Sequence, residues 1–301
     1  MNKYLRISSA RSQLALFFIL MGGAFIVLIL LSSIVLHFVN GGPSSTPDWS
    51  DPRMAGVLKL QQVISSIVIF LLPAWLFARF TYRERNLYFL GFRPAEKSNF
   101  YLLAVMILLF SFPMEAWLGQ LNQQIPLWDW MNQLEKEAAK QLTVLLKANS
   151  PLDIIISIFT VAIIPAICEE SLFRGVLQPI LIRLFKSPWI GIIVTGFFFS
   201  AIHLQFQGFL PRAFLGVVLG AIYWYSNSLW VSILAHFFYN GIQVIALYAY
   251  PKMVNENPSV PMYAALISIV IVVGLLSAMR RQSTVTYAGV FEADNEHDFP
   301  G

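Results

Sequence analysis

Two adjacent carboxylates followed by a guanidinium, Glu169-Glu170-x-x-x-Arg174, stand inside an otherwise apolar stretch. Two histidines follow in further apolar stretches, His203 in Phe199-Ser-Ala-Ile-His203 and His236 in His236-Phe-Phe-Tyr-Asn240. An ionisable group inside a membrane span costs about 2.5 to 3.5 kcal/mol on insertion scales, so each calls for a reason. Spacing separates the two glutamates. Glu170 and Arg174 are one turn apart on one helical face and can form an ion pair, whereas Glu169 projects about 100° around the helix. One carboxylate is neutralised, and its neighbour is left free to act as a proton acceptor. The bland reading is a buried ion pair plus one protonated glutamate that only holds helices together, with Asn240 as an interhelical hydrogen-bond partner of His236. Two chemistries suit the full set. Glu169, His203 and His236 are a zinc ligand set, although His-Glu-x-x-His is absent and Asn is a poor zinc ligand. Metal-free hydrolysis needs a base for water and donors for an oxyanion, which Glu169 with His203 and His236 with Asn240 could supply. Spacing alone leaves both open.

The elements that must position these groups follow from composition. Of 301 residues, 57% are hydrophobic and only 12% charged, against about a quarter charged in soluble domains. A soluble globule is excluded. The single cysteine, Cys168, excludes a disulfide framework and a cysteine-cluster metal site. A spanning helix needs roughly 20 apolar residues, and apolar runs at 14–39, 57–78, 99–118, 152–182, 189–208, 210–225, 229–249 and 260–279 predict an all-α polytopic bundle of eight spans. The first run is too long for a signal-peptide core, which is roughly 7 to 15 residues, and reads as a retained anchor. Twelve of the 20 lysines and arginines fall on one side of this threading and six on the other. That bias puts both termini in the cytoplasm, and a bacterial cytoplasmic membrane is the expected location. The basic residues thus follow topology rather than forming a patch, and no nucleic-acid partner is expected.

Between the third and fourth runs, Leu127, Trp130, Met131, Leu134, Ala138, Leu142 and Leu145 recur at helical spacing, predicting an amphipathic interfacial helix. Residues 40–53 read as a polar outer loop. Residues 1–281 form a single membrane domain, and 282–301 a polar, disordered tail. Lys59 and Glu115 fall near outer span ends, within reach of headgroups, and read as structural. Gly216 and Gly220 read as a close helix contact. Counting about 1.5 Å per residue from the inner ends, the helices carrying Glu169, His203 and His236 can bring them to one depth in the bilayer.

These three motifs, Glu169-Glu170-x-x-x-Arg174, Phe199-x-x-x-His203 and His236-x-x-x-Asn240, resemble those of the CAAX-processing and bacteriocin-processing (CPBP, or Abi) intramembrane proteases, which include the type II CAAX prenyl endopeptidases. They match in residue type and order, within 160–245. The resemblance implies an α-helical membrane endopeptidase acting on a membrane-associated protein or peptide. In it Glu169, aided by His203, activates water, His236 and Asn240 stabilise the oxyanion, and Glu170 and Arg174 shape and neutralise the site. It implies no cofactor; zinc on Glu169, His203 and His236 is the alternative. Membrane lipid is the implied surrounding partner. Rival readings are a catalytically silent scaffold or bacteriocin-immunity protein, and an ion or proton transporter using the same cluster.

Overall fold

The computed structural model describes residues 5–40, 51, 53–147, 150–250 and 259–292. Most of the expected outer loop, residues 41–50 and 52, lies outside the described residues, as does 293–301 of the tail. Nine long helices organise the described residues, beside short ones at Asn86–Leu90 and Tyr287–Phe291: α1 (Ala10–Asn40), α2 (Met54–Thr81) and α3 (Asn99–Gln123), α4 (Asp129–Leu145), α5 (Pro151–Phe185), α6 (Pro188–Ala201), α7 (Phe209–Ser226), α8 (Leu229–Ala249) and α9 (Met262–Gln282). Among the described residues there is no strand, only an isolated bridge between Leu5 and Tyr82. The fold is a helical polytopic bundle.

Among the described residues seven helices are long and apolar enough to cross a membrane. The expected eighth span, 189–208, is shorter than its apolar run implied. Its helix α6 has 14 residues, about 21 Å at 1.5 Å per residue against a hydrocarbon core near 30 Å. The reason is local: Leu204 takes a left-handed backbone, φ 52°, and polar Gln205, Gln207 and Gly208 follow. A right-handed helix cannot continue through such a residue. His203 therefore lies in the turn after α6, not on a helix.

Prolines shape α2 and α5. The helix opens into wider i→i+5 turns at Ile67–Leu71 in α2 and at Ile158–Ile163 and Phe173–Leu177 in α5. Each precedes a proline, Pro73, Pro165 and Pro179. A proline ring clashes with the carbonyl four residues back and offers no N–H, and those carbonyls belong to Ile69, Val161 and Gly175, all inside the wide turns. The α-helical stretch Ile164–Leu172, which carries both glutamates, is thus bounded by two wide turns, and Arg174 lies within the second.

Helices α6 and α7 pack backbone to backbone. A Cβ on Gly216 would sit 2.8 Å from the Gly196 Cα, and one on Gly196 would sit 2.9 Å from the Val217 nitrogen. Gly216 and Gly220 are thus the close contact their spacing suggested. Around this seam the core gathers Phe173, Leu177, Phe199, Leu219, Ile222 and Val231. At the basic end, Gly91 adopts φ 104° and accepts from the Leu229 N–H at 2.8 Å, while Ser228 donates to the Arg93 carbonyl at 2.5 Å. Residues 283–292 of the expected tail dock there: Val285 is buried, Thr284 bonds Glu96 at 2.8 Å, and Phe291 stacks on Trp224. A cavity of about 1330 Å³, lined by Tyr88, Arg93, Lys97, Val285 and Phe291 among others, opens beside this docked segment, away from the glutamates.

The amphipathic helix α4 has no buried residue, and Trp128, Trp130 and Leu134 stay exposed, as an interfacial helix requires. Lys59 and Glu115 depart from the headgroup-facing expectation. Both are buried, Lys59 with its Nζ 3.4 Å from the Asp153 carbonyl and Glu115 accepting from Ser111 and Tyr239.

Candidate active site

Three elements bring the motif residues together. Helix α5 supplies Glu169, Glu170 and Arg174, the turn after α6 supplies His203, and α8 supplies His236. Glu170 and Arg174 are fully buried and pair at 3.1 Å, as their one-turn spacing requires. The same Glu170 Oε1 lies 3.0 Å from the His236 Nδ1. A carboxylate at that distance accepts, so Nδ1 carries a proton and Nε2 turns to the other glutamate. Arg174 also donates to the Gly216 carbonyl at 3.2 Å. Glu170 is thus committed twice, and Glu169, buried beside it, faces the histidines.

Glu169 Oε2 lies 3.9 Å from His203 Nε2 and 4.0 Å from His236 Nε2. The orientation of His203 is fixed independently. Its Nδ1 sits 2.8 Å from the Phe199 carbonyl oxygen, which can only accept. Nδ1 therefore carries the proton, and in the neutral ring Nε2 presents a lone pair toward Glu169. Those separations exceed direct hydrogen bonds and suit one small molecule held between carboxylate and imidazole. Zinc was the alternative occupant. Among the described residues no three His, Cys, Asp or Glu side chains are arranged to hold a metal ion.

Phe199 organises the site in a way its sequence position only hinted at. Its ring centroid lies 5.3 Å from His203, 5.9 Å from His236 and 5.1 Å from Phe173, and the Arg174 guanidinium carbon stands 4.8 Å above it. Such ring and cation contacts contribute about 0.5 to 2 kcal/mol each when desolvated. Both histidines and the arginine therefore contact one aromatic ring. Asn240 lies one turn beyond His236, half-buried, and among the described residues it makes no hydrogen bond with the other site residues.

Arg212 is not singled out by its type or spacing in the sequence. It lies in the first turn of α7 and donates to the Gln205 side chain at 2.5 Å, two residues after His203. The intervening turn is strapped elsewhere too: Asn122 donates to the Phe206 carbonyl at 2.8 Å and accepts from the Leu210 N–H at 2.6 Å, and Glu135 of α4 accepts from the Gln207 N–H at 3.1 Å. No sequence signal marks these contacts, which join segments 70 or more residues apart.

A bundle of apolar helices closing over paired glutamates and two histidines defines an integral membrane protein with a buried polar site. Residues 151–242, under a third of the chain, match the model for the Rce1-like type II CAAX prenyl endopeptidases. The matched segment contains all seven motif residues. The chain is also similar to an uncharacterized 24.3 kDa protein of Escherichia coli, 34% identical over 82 residues, covering 26% of this chain and 36% of that protein. The match thus spans little more than a third of the relative's length. No solved structure matches.

Proposed function

We propose that the chain is an intramembrane endopeptidase that hydrolyses a peptide bond of a membrane-associated protein or peptide, with Glu169 as the base. The observation that carries this is the facing of Glu169 Oε2 by the Nε2 atoms of both His203 and His236 at 3.9 and 4.0 Å. A water placed there donates one proton to Glu169 and the other to the His203 lone pair, leaving an oxygen lone pair for the substrate carbonyl. As the oxygen–carbon bond forms, Glu169 takes the proton. His236, oriented through its Nδ1–H on Glu170, and Asn240, through its amide, stabilise the oxyanion. Collapse breaks the carbon–nitrogen bond as Glu169 returns the proton to the leaving amine, giving a free carboxyl and a free amine. No step passes through a metal or other cofactor. Glu170 and Arg174 hold His236 and balance the charge.

The family match supports the protease reading, and the excess of Lys and Arg at one end supports placing both termini in the cytoplasm. The test is purified protein in detergent, incubated with prenylated CAAX-ending peptides and unprenylated membrane-anchored peptides, with products read by mass spectrometry. New termini that appear with wild type and vanish with Glu169→Ala and His203→Ala support the proposal. Cleavage that survives both substitutions overturns the site. Loss of cleavage after chelation, restored by zinc, overturns the metal-free route. Proton or ion flux in proteoliposomes without cleavage points to transport instead.

A further inference from the structure

Glu115 of α3 is a carboxylate the mechanism does not use. It is 4% exposed, and among the described residues no cation pairs with it. Its partners are hydroxyls: Ser111 lies 2.5 Å from Oε1, and the Tyr239 phenol donates to Oε2. The Tyr239 ring also stacks on Phe112 of α3, centroids 4.8 Å apart and 12° from parallel. A buried carboxylate is costly in an apolar bundle, and packing α3 on α8 could be achieved by leucines alone. What the polar lock adds is angular definition. Tyr239 lies between His236 and Asn240 on α8, three residues after one and just before the other, so anchoring its hydroxyl fixes the rotation of α8 about its axis.

We infer that Glu115 and Tyr239 are positioning residues for the proposed hydrolysis, setting the angle at which α8 presents His236 and Asn240 to Glu169. Rotation by one residue's pitch would carry His236 away from Glu170 and Glu169 together. A hydroxyl clamp on a buried acid resists that motion where an apolar contact would let the ring slide. The inference rests on the proposed catalytic site, since it assigns roles relative to Glu169.

The experiment uses full-length protein in detergent with ring-labelled histidine, comparing wild type, Tyr239→Phe, Glu115→Leu and Glu115→Gln. Carbon-13 spectra report each histidine ring, the His236 signal being assigned by its loss in His236→Gln. Cleavage is followed with whichever peptide the wild type cuts, and unfolding by thermal melting. Tyr239→Phe keeps the stacked ring and removes only the hydroxyl. It should move or broaden the His236 signal and lower kcat by about 10- to 100-fold with little change in KM, the scale expected for a misplaced catalytic group. Glu115→Leu should behave likewise. Glu115→Gln, which still accepts from the phenol, should recover most of the rate. If Tyr239→Phe leaves both the His236 signal and kcat at wild-type values, the inference is overturned, whatever happens to the melting temperature. The two readings fail separately: retention of cleavage by Glu169→Gln defeats the catalytic site, while the histidine spectra still report whether the clamp sets the ring.

Discussion

The Nδ1 of His203 lies 2.8 Å from the carbonyl oxygen of Phe199, and that single contact decides which ring nitrogen meets Glu169. Because a carbonyl cannot donate, the proton must sit on Nδ1, and Nε2 becomes the atom presented at 3.9 Å to the carboxylate. The residue one turn earlier in the sequence therefore sets both the position and the tautomer of the histidine.

His203 lies in a turn and is partly exposed, with 26% of its side chain accessible. Its replacement should separate activity from stability. His203→Ala is expected to lower the cleavage rate by about 10²- to 10⁴-fold, the usual worth of a positioned acid or base. Unfolding in detergent should shift by no more than about 1 kcal/mol. A comparable loss of folded protein would mean that the ring is structural.

Phe199 carries the reverse signature. Phe199→Ala removes a buried ring and should cost about 3 to 5 kcal/mol. Phe199→Leu fills most of that volume and should fold, yet it takes away the aromatic ring that Arg174, His203 and His236 contact. Slowed cleavage by well-folded Phe199→Leu is the expected result, measured by melting and peptide turnover on the same preparation.

The Glu170–Arg174 pair is fully buried, so removing one partner leaves an uncompensated charge. Arg174→Met alone should destabilise by about 3 to 5 kcal/mol. The double variant Glu170→Gln with Arg174→Met should regain much of that loss, since no charge is then left unpaired. The double variant is expected to fold without recovering activity, because His236 has lost its ionised acceptor.

At the α6–α7 seam, Gly216→Val would drive a side chain into the Gly196 backbone, with the first added atom already at 2.8 Å. The helices must part, at a cost of about 1 to 3 kcal/mol. Gly274, with nothing within 4 Å of an added Cβ, provides the control: Gly274→Ala should melt like wild type. Equal melting of Gly216→Val and wild type would contradict the close seam.

Much of this architecture could be read from the chain because the bilayer imposes a coarse rule. Apolar runs of about 20 residues must become helices whose backbone groups bond internally, and seven of the eight proposed runs became spanning helices, the eighth only the short Pro188–Ala201, while the amphipathic stretch gave the helix Asp129–Leu145. The pairing of Glu170 with Arg174 was legible for the same reason, being a matter of helical pitch. What eluded the sequence is tertiary. Nothing in Phe199 announces that three charged or imidazole groups will gather on its ring, and an apolar run through 189–208 hides the break at Leu204, where backbone strain and polar neighbours decide. Glu115 looked like an end-of-span residue because burial depends on which face meets α8. The polar composition after residue 282 concealed Val285 and Phe291, which are enough to dock residues 283–292.

The account stands or falls on Glu169 as the group that activates water. Wild type and Glu169→Gln, purified in parallel and shown by melting to be equally folded, would be given the same membrane-anchored peptide in water enriched in oxygen-18. The account predicts one heavy oxygen in the new carboxyl terminus made by wild type and no product above background from Glu169→Gln. Cleavage by Glu169→Gln at the wild-type rate, with the same label in its product, would contradict it.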